Sequence, residues 1–269
     1  MKAGIVLEGR YEVKNMLGEG GFSKVYLAYD REKKRNWAIK EIDRERVGDE
    51  RVYQMLKREA EIVWNMKYPY FPEVEEMVEA SGRCYIVMEY LQGETLEEML
   101  QRLGPLPPDE VAKWGRDLCL VLGYLHRMEP PFVYGDMKPE NIMRQPGGNL
   151  RLMDFGSVWG GKEGQRGIRL GTKGYAAPEQ MERGGILDAR TDIYGVGATM
   201  YRLLTGVDVR EFSAKDYHVR HWNRKLPRRL DKIVWKCTRE KWGERYQSCE
   251  ELERELEKEW RRLSVNGTV

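Results

Sequence analysis

The chain has 269 residues, 41% of them hydrophobic and 33% charged, which supplies a core for one large domain or two coupled lobes and excludes a disordered chain. Lys plus Arg number 46 and Asp plus Glu 44, so no strong field advertises nucleic acid or a membrane as a partner, and any basic site must be local. Cys84, Cys119, Cys237 and Cys249 are widely spaced without a C-x-x-C, and no signal pattern or membrane-length apolar run is present, which predicts free thiols and a reduced, cytoplasmic setting.

Residues 10 to 42 read as strands and turns: alternation in Tyr11-Glu12-Val13-Lys14, then Gly18-Glu19-Gly20-Gly21-Phe22-Ser23, then Val25-Tyr26-Leu27-Ala28 and Trp37-Ala38-Ile39-Lys40. The glycine cluster reads either as a hairpin turn or as a loop whose backbone N–H groups approach phosphates closely. From Arg51 to Met66, apolar residues at helical spacing predict an amphipathic helix. Glu59 and Glu61 on that helix are each a candidate partner for Lys40. Cys84 to Leu91 is a compact apolar strand, after which Gln92-Gly93-Glu94-Thr95 opens a new helical pattern and marks the hand-over between lobes. Pro107-Pro108-Asp109 starts a further helix to Arg127, with Val111, Trp114, Leu118, Val121, Leu122 and Leu125 on its stripe.

That helix leads into Tyr134-Gly135-Asp136-Met137-Lys138-Pro139-Glu140-Asn141. Pro139 lacks an N–H and biases Lys138 away from helical angles, so Asp136, Lys138 and Asn141 belong to an extended loop that can aim all three side chains inward. A turn at Gly147-Gly148-Asn149 then returns the chain as a small hairpin and brings Met153-Asp154-Phe155-Gly156 back to this loop. The set suits phosphoryl transfer, which needs a carboxylate to orient an attacking hydroxyl, a cation near the moving group and oxygen ligands for magnesium. Asp136, Lys138, and Asn141 with Asp154 fill those roles in turn. Beyond them lies a glycine-rich basic segment from Gly160 to Gly167, predicted to be a mobile loop with an ordered end at Gly171 to Glu179. Asp192 opens a long apolar helix through Leu204. The last helix, from about Ser248, carries Leu252, Leu256, Trp260 and Leu263 on one face, predicted to pack on the larger lobe.

Asp136-x-Lys138-x-x-Asn141 and Asp154-Phe155-Gly156, with Gly18-x-Gly20-x-x-Ser23-x-Val25, Trp37-Ala38-Ile39-Lys40 and Ala177-Pro178-Glu179, resemble the eukaryotic-type (Hanks-type) protein kinases, bacterial serine/threonine members above all. The resemblance covers about residues 10 to 262. It implies an α+β bilobal fold with a small β-rich lobe (about 10–90) and a larger, mainly helical one (about 91–262). It also implies ATP with magnesium, for which manganese could substitute, and protein substrates with Ser/Thr acceptors. By the same resemblance, Lys40 meets the α- and β-phosphates and Glu59 is chosen over Glu61 as its partner. Gly18, Gly20 and Ser23 line the phosphates, and Leu17, Val25, Ala38 and Met143 sandwich the adenine. Met88 stands as gatekeeper, the Glu89 carbonyl and Leu91 N–H contact the adenine, and Glu94 contacts the ribose. Thr172 lies near Asp136, Asp192 braces the catalytic loop, and Arg245 pairs with Glu179.

The sequence departs from the family at Tyr134 and Gly135, where His and Arg are usual. Gly135 removes the arginine that helps bind a phosphorylated activation loop. Between Asp154 and Tyr175 the only hydroxyl side chains are Ser157 and Thr172, so activity without phosphorylation of this segment is expected. The departures leave open a pseudokinase that binds ATP as a scaffold. A small-molecule kinase of related fold is the other alternative, against which Lys138 and the Thr172 to Glu179 segment argue. Oligomeric state is not written in the sequence.

Overall fold

The computed structural model describes residues 1–20, 23–65, 68–80, 82–153, 159–160, 171–182, 185–210 and 217–266. The Glu59 side chain, Asp154 and Gly160 to Gly167, apart from the backbone of Gly160, lie outside the described residues. The chain divides into two units, one of residues 1–93 and 151–156 and the other of residues 94–150 and 157–269. The α+β architecture expected from the sequence is observed: a sheet-rich first unit and a mainly helical second one.

In the first unit, the alternating segments become β1 (Val6–Leu7), β2 (Tyr11–Glu19), β3 (Ser23–Asp30) and β4 (Arg35–Asp43). After α1 (Arg44–Val47) and α2 (Glu50–Asn65) come β5 (Val74–Ala80) and β6 (Arg83–Glu89). The six strands form one sheet in the order β1-β2-β3-β4-β6-β5. Trp37 and Ile39, with their cross-strand partners Ala28 and Val87, centre a cluster that also buries Leu7, Tyr11 and Tyr85, as period-two alternation requires of a half-covered sheet.

Asp30 closes the β3–β4 turn. Its carboxylate is fully buried and accepts from Arg10 Nε (3.0 Å) and Nη2 (2.6 Å), from Trp37 Nε1 (3.1 Å), and from the amides of Glu32 (2.9 Å) and Lys33 (3.0 Å). The Arg10 guanidinium, against the opposing cost of burial and helped by the turn amides and Trp37, holds this carboxyl well below the usual range.

The second unit contains β7 (Glu94–Thr95), α3 (Leu96–Leu103), α4 (Pro108–His126), β8 (Phe132–Val133) and β9 (Ile142–Arg144). Then follow β10 (Leu150–Leu152), which runs across the unit boundary, β11 (Trp159–Gly160), α5 (Pro178–Met181) and α6 (Ala189–Thr205). α7 (Val219–Trp222), α8 (Arg228–Cys237) and α9 (Cys249–Asn266) complete it. Every residue of the expected α4 stripe is buried, and α4 packs against α6 and α9. α9 buries Leu252 and Leu256 there, so its apolar face is used within the unit. At Gly197 a Cβ would lie 2.4 Å from the Cβ of Cys237; glycine is what lets α6 and α8 approach. All four cysteines are free and buried.

One boundary needs correction. α6 begins at Ala189, three residues before the expected start at Asp192, because Asp188 caps it by accepting from the Arg190 amide at 2.8 Å. Asp192 therefore lies inside the first turn, one face of which is buried.

Because folding depresses the Asp30 pKa, its contribution to stability is complete above the unfolded value of about 4 and is lost as pH falls through the folded value. Asp30→Asn is expected to cost about 3 kcal/mol at pH 7, measured by urea unfolding, and the gap from the parent should narrow steadily below pH ~4. A gap constant down to pH ~2 would contradict this account.

Candidate active site

The loop after β8 is extended at Lys138 and then makes a single 3₁₀ turn at Pro139–Asn141, the backbone shape that Pro139 imposes. It gathers three expected side chains and a fourth from the following segment. Lys138 Nζ donates to Asp136 Oδ2 and to Thr172 Oγ1, both at 2.7 Å. Thr172 donates to Asp136 Oδ1 through its hydroxyl (2.8 Å) and its amide (3.2 Å). Asn141 Nδ2 donates to Asp136 Oδ2 (3.0 Å) and to its backbone carbonyl (2.9 Å). Asp136 is thus fixed by four donors shared between its two oxygens, three of them from the Lys138–Thr172 pair.

The loop backbone is held from below. Asp192 on α6 accepts the Tyr134 amide on Oδ2 (2.9 Å) and the Gly135 amide on Oδ1 (2.8 Å), and His126 Nε2 meets Oδ2 at 2.8 Å. Burial opposes charge on His126, but Asp192 and the neighbouring Cys249 outweigh it and raise its pKa to about 10. Gln180 Nε2 donates to the Gly135 carbonyl at 2.7 Å, and Thr199 Oγ1 to that of Met137 at 3.2 Å. The Asp192 brace was expected; His126, Gln180 and Thr199 were not. Gln180 directly follows Ala177-Pro178-Glu179, and His126 ends the α4 stripe, but neither position carries a local signal for its contact across the fold, with the Gly135 carbonyl and the Asp192 carboxylate respectively.

Gly135 has φ +77°, a conformation that costs a residue with a side chain about 1 kcal/mol or more. The substitution that removes the family's arginine also suits this backbone.

Below α5, Glu179 and Arg245 form a buried two-pronged ion pair, Nη1 to Oε1 at 2.7 Å and Nη2 to Oε2 at 2.9 Å. Thr191 donates to Glu179 at 3.0 Å. Arg245 also donates to the carbonyls of Arg239 (2.8 Å), Arg190 (2.9 Å) and Glu240 (3.1 Å). One guanidinium thereby satisfies a buried carboxylate and three main-chain acceptors, which fixes the end of the segment that carries Thr172.

The residues expected around a nucleotide divide between the units. In the first, Val25 pairs with Lys40, and Ala38 with Met88. Strand alternation and direct pairing place these four on one sheet face. Gly18 pairs with Val25, and Leu17 falls at the irregularity between Met16 and Gly18, 43% exposed. Gly20 donates to the Ser23 carbonyl at 2.8 Å. Among the described residues, chain neighbours aside, nothing lies within 4 Å of where a Cβ would stand at Gly18, and a Cβ at Gly20 would meet Ser23 alone, at 3.8 Å. Neither glycine has the left-handed φ that favours the residue. Among the described residues the space beside both glycines is open, which leaves room for phosphates to approach the backbone N–H groups, so the residues present fit ATP. Leu91 is buried beyond the Glu89 end of β6.

In the second unit, Met143 lies on β9 opposite Thr95. Glu94 accepts twice from Arg102, at 2.9 and 2.6 Å, a pairing that a ribose hydroxyl would have to share. For magnesium, Asn141 spends its amide hydrogens on Asp136 and keeps a hard carbonyl oxygen for a cation. Among the described residues no group of three or more His, Cys, Asp or Glu is placed to hold a metal ion. No helix among them is long and apolar enough to cross a membrane.

Arg245→Lys keeps the charge but cannot reproduce the fork and the three carbonyl bonds. It is expected to lower stability by about 3 kcal/mol in urea unfolding; a loss below about 0.5 kcal/mol would place the pair among weak surface bridges.

The protein kinase domain family matches residues 11–263. Serine/threonine-protein kinase PrkC of Bacillus subtilis is 29% identical over 270 residues, covering 95% of this chain and 41% of that protein. Serine/threonine-protein kinase PknB of Mycobacterium leprae is 32% identical over 269 residues, covering 93% and 43%. The chain thus spans about two fifths of the length of these curated relatives. In fold it is similar to the kinase domain of Mycobacterium tuberculosis PknI, with a TM-score of 0.76 at 24% identity over 96% of this chain and 99% of that one. With the match running across nearly its whole length and the motif residues gathered as described, the chain belongs to the protein kinase domain family.

Proposed function

We propose that the chain transfers the γ-phosphoryl group of Mg-ATP to serine and threonine hydroxyls of proteins. The observation that carries this is the Asp136–Lys138–Thr172–Asn141 network. Asp136 accepts the acceptor hydroxyl and orients its lone pair, with Lys138 and Asn141 holding the carboxylate in place. Lys138 sets a cation beside the moving group, and Thr172 fixes the segment along which a peptide lies. Asn141 and Asp154 would hold magnesium, which neutralises charge on the phosphates. Lys40, partnered by Glu59, would hold the α- and β-phosphates. The relatives' names, serine/threonine-protein kinases, support this substrate class.

The finer reading is that transfer does not depend on phosphorylation between Asp154 and Tyr175. Gly135 offers no cation to a phosphorylated loop. The Thr172 hydroxyl is engaged by Asp136 and Lys138, and a phosphate there would set charge beside the catalytic carboxylate. Tyr134 and Gly135, the two departures that suggest a scaffold, contribute only backbone to the Asp192 brace, so they give little support to a pseudokinase.

Two outcomes are expected. Asp136→Asn should reduce kcat for a generic Ser/Thr protein substrate by at least about 100-fold while leaving Mg-ATP affinity within about twofold; near-parent turnover would reject the assigned role. Phosphatase-treated protein, shown unmodified over residues 154–179 by mass spectrometry, should phosphorylate an exogenous substrate without a lag. A lag that preincubation with ATP abolishes, accompanied by phosphate on this segment, would reject phosphorylation independence.

A further inference from the structure

Whole-chain charges nearly cancel, but they are not evenly distributed. Between His218 and Lys236 the sequence holds seven Lys or Arg and one acid, Asp231. Asp231 is already committed, accepting from His218 Nδ1 and from the Arg220 amide, both at 3.0 Å. Arg229 and Lys236 pair with Glu255 (2.9 Å) and Glu251 (3.0 Å) on α9. Arg224, Lys225, Arg228 and Lys232 are exposed and form no ion pair among the described residues. Beside them on α7, Trp222 is 54% exposed. An exposed tryptophan and arginines are residue types enriched at protein interfaces, and here they stand beside two lysines that form no ion pair among the described residues.

The patch is also fastened to the active-site segment. Tyr217, the residue before it, donates to the Gly174 carbonyl at 2.8 Å, two residues beyond Thr172. The Tyr217 ring meets Tyr201 edge-on at 5.1 Å, and Trp222 Nε1 donates to the Tyr201 hydroxyl. At Gly174 a Cβ would lie 2.6 Å from the Val209 carbonyl oxygen, so this approach is tight.

We infer that Trp222, Arg224, Lys225, Arg228 and Lys232 form a docking surface for an acidic segment of the protein substrate, separate from the acceptor residue. The inference rests on the proposed transfer to proteins and adds the chemistry of the partner. Charge complementarity selects an acidic segment, and the exposed ring adds an apolar anchor to it. Nucleic acid is disfavoured because the cations occupy one short stretch, not a stripe along a backbone, and the chain as a whole carries only +2.

The test has a binding arm independent of catalysis. A fluorescein-labelled peptide of about a dozen Asp and Glu residues with two leucines is titrated with the full chain and followed by anisotropy. Arg224→Glu/Lys225→Glu/Arg228→Glu should weaken binding at least about tenfold, and raising salt from about 50 to 300 mM should do the same to the parent. Trp222→Ala is the milder second variant, expected to weaken binding about threefold or more. In the transfer arm, the triple variant should raise KM about tenfold for a substrate carrying that acidic segment, with kcat unchanged and a short neutral Ser peptide unaffected. Failure of all transfer by the parent would reject the kinase reading and leave the anisotropy result standing. Equal peptide binding by parent and triple variant would overturn the docking surface. So would tighter binding of a single-stranded oligonucleotide or of phosphatidylserine vesicles than of the peptide, or an equal loss on the neutral peptide.

Discussion

A carboxylate on a helix holding two consecutive backbone amides of a loop is the constraint on which the site depends. Asp192 has both oxygens occupied by the Tyr134 and Gly135 N–H groups, with His126 on the outer side. Those amides belong to a segment that neither a helix nor a long strand could satisfy, and a buried amide without an acceptor costs about 1–3 kcal/mol. The brace therefore does two things at once. It completes the hydrogen bonding of buried main chain, and it sets where Asp136 begins. Packing on either side makes it rigid, since α6 is buried along most of its length and α4, which carries His126, lies against it.

From that fixed start the chemistry is built by short-range bonds. Asp136, Lys138 and Asn141 are five residues apart at most, so the 3₁₀ turn alone brings them together. Thr172 is distant in sequence and needs its own anchor, which the Glu179–Arg245 pair supplies below and Gln180 supplies at the Gly135 carbonyl. The loop and the segment after it are thus tied to the same helices. Burying a charged pair brings little net stability by itself, and its role here is to specify one position for the chain between Gly171 and Met181.

The sequence made the loop chemistry legible because its signal is local: a proline between a lysine and an asparagine, and an aspartate two residues before. The α4 stripe and the α9 face were legible for the same reason, as apolar periodicity. Other features were hidden by their dependence on tertiary contacts. β5 alternates weakly, with Glu75, Glu76 and Glu79 among its seven residues, and becomes a strand by pairing with β6. β1 is two residues long. α8 has apolar spacing at Leu230, Ile233, Val234 and Cys237 that is readable after the fact, but the surrounding cations mask it. The start of α6 was misplaced because Asp192 is the conspicuous aspartate of that stretch and Asp188 is the capping one. His126 and Thr199 act on groups far away in sequence, the Asp192 carboxylate and the Met137 carbonyl, which no local pattern encodes. At Gly135 the missing arginine was visible and the left-handed backbone was not.

In the proposed function, the position of Asp136, set by Asp192, limits phosphoryl transfer. This limit is tested most directly by Asp192→Ala, assayed for initial-rate transfer of radiolabelled phosphate from Mg-ATP to a Ser/Thr protein, with Mg-ATP affinity measured alongside on protein shown to be folded. The expected result is a fall in kcat of about 100-fold, the scale of a roughly 1 Å misplacement of a reacting group, with nucleotide affinity within about threefold of the parent. A folded variant with kcat close to the parent's would contradict it.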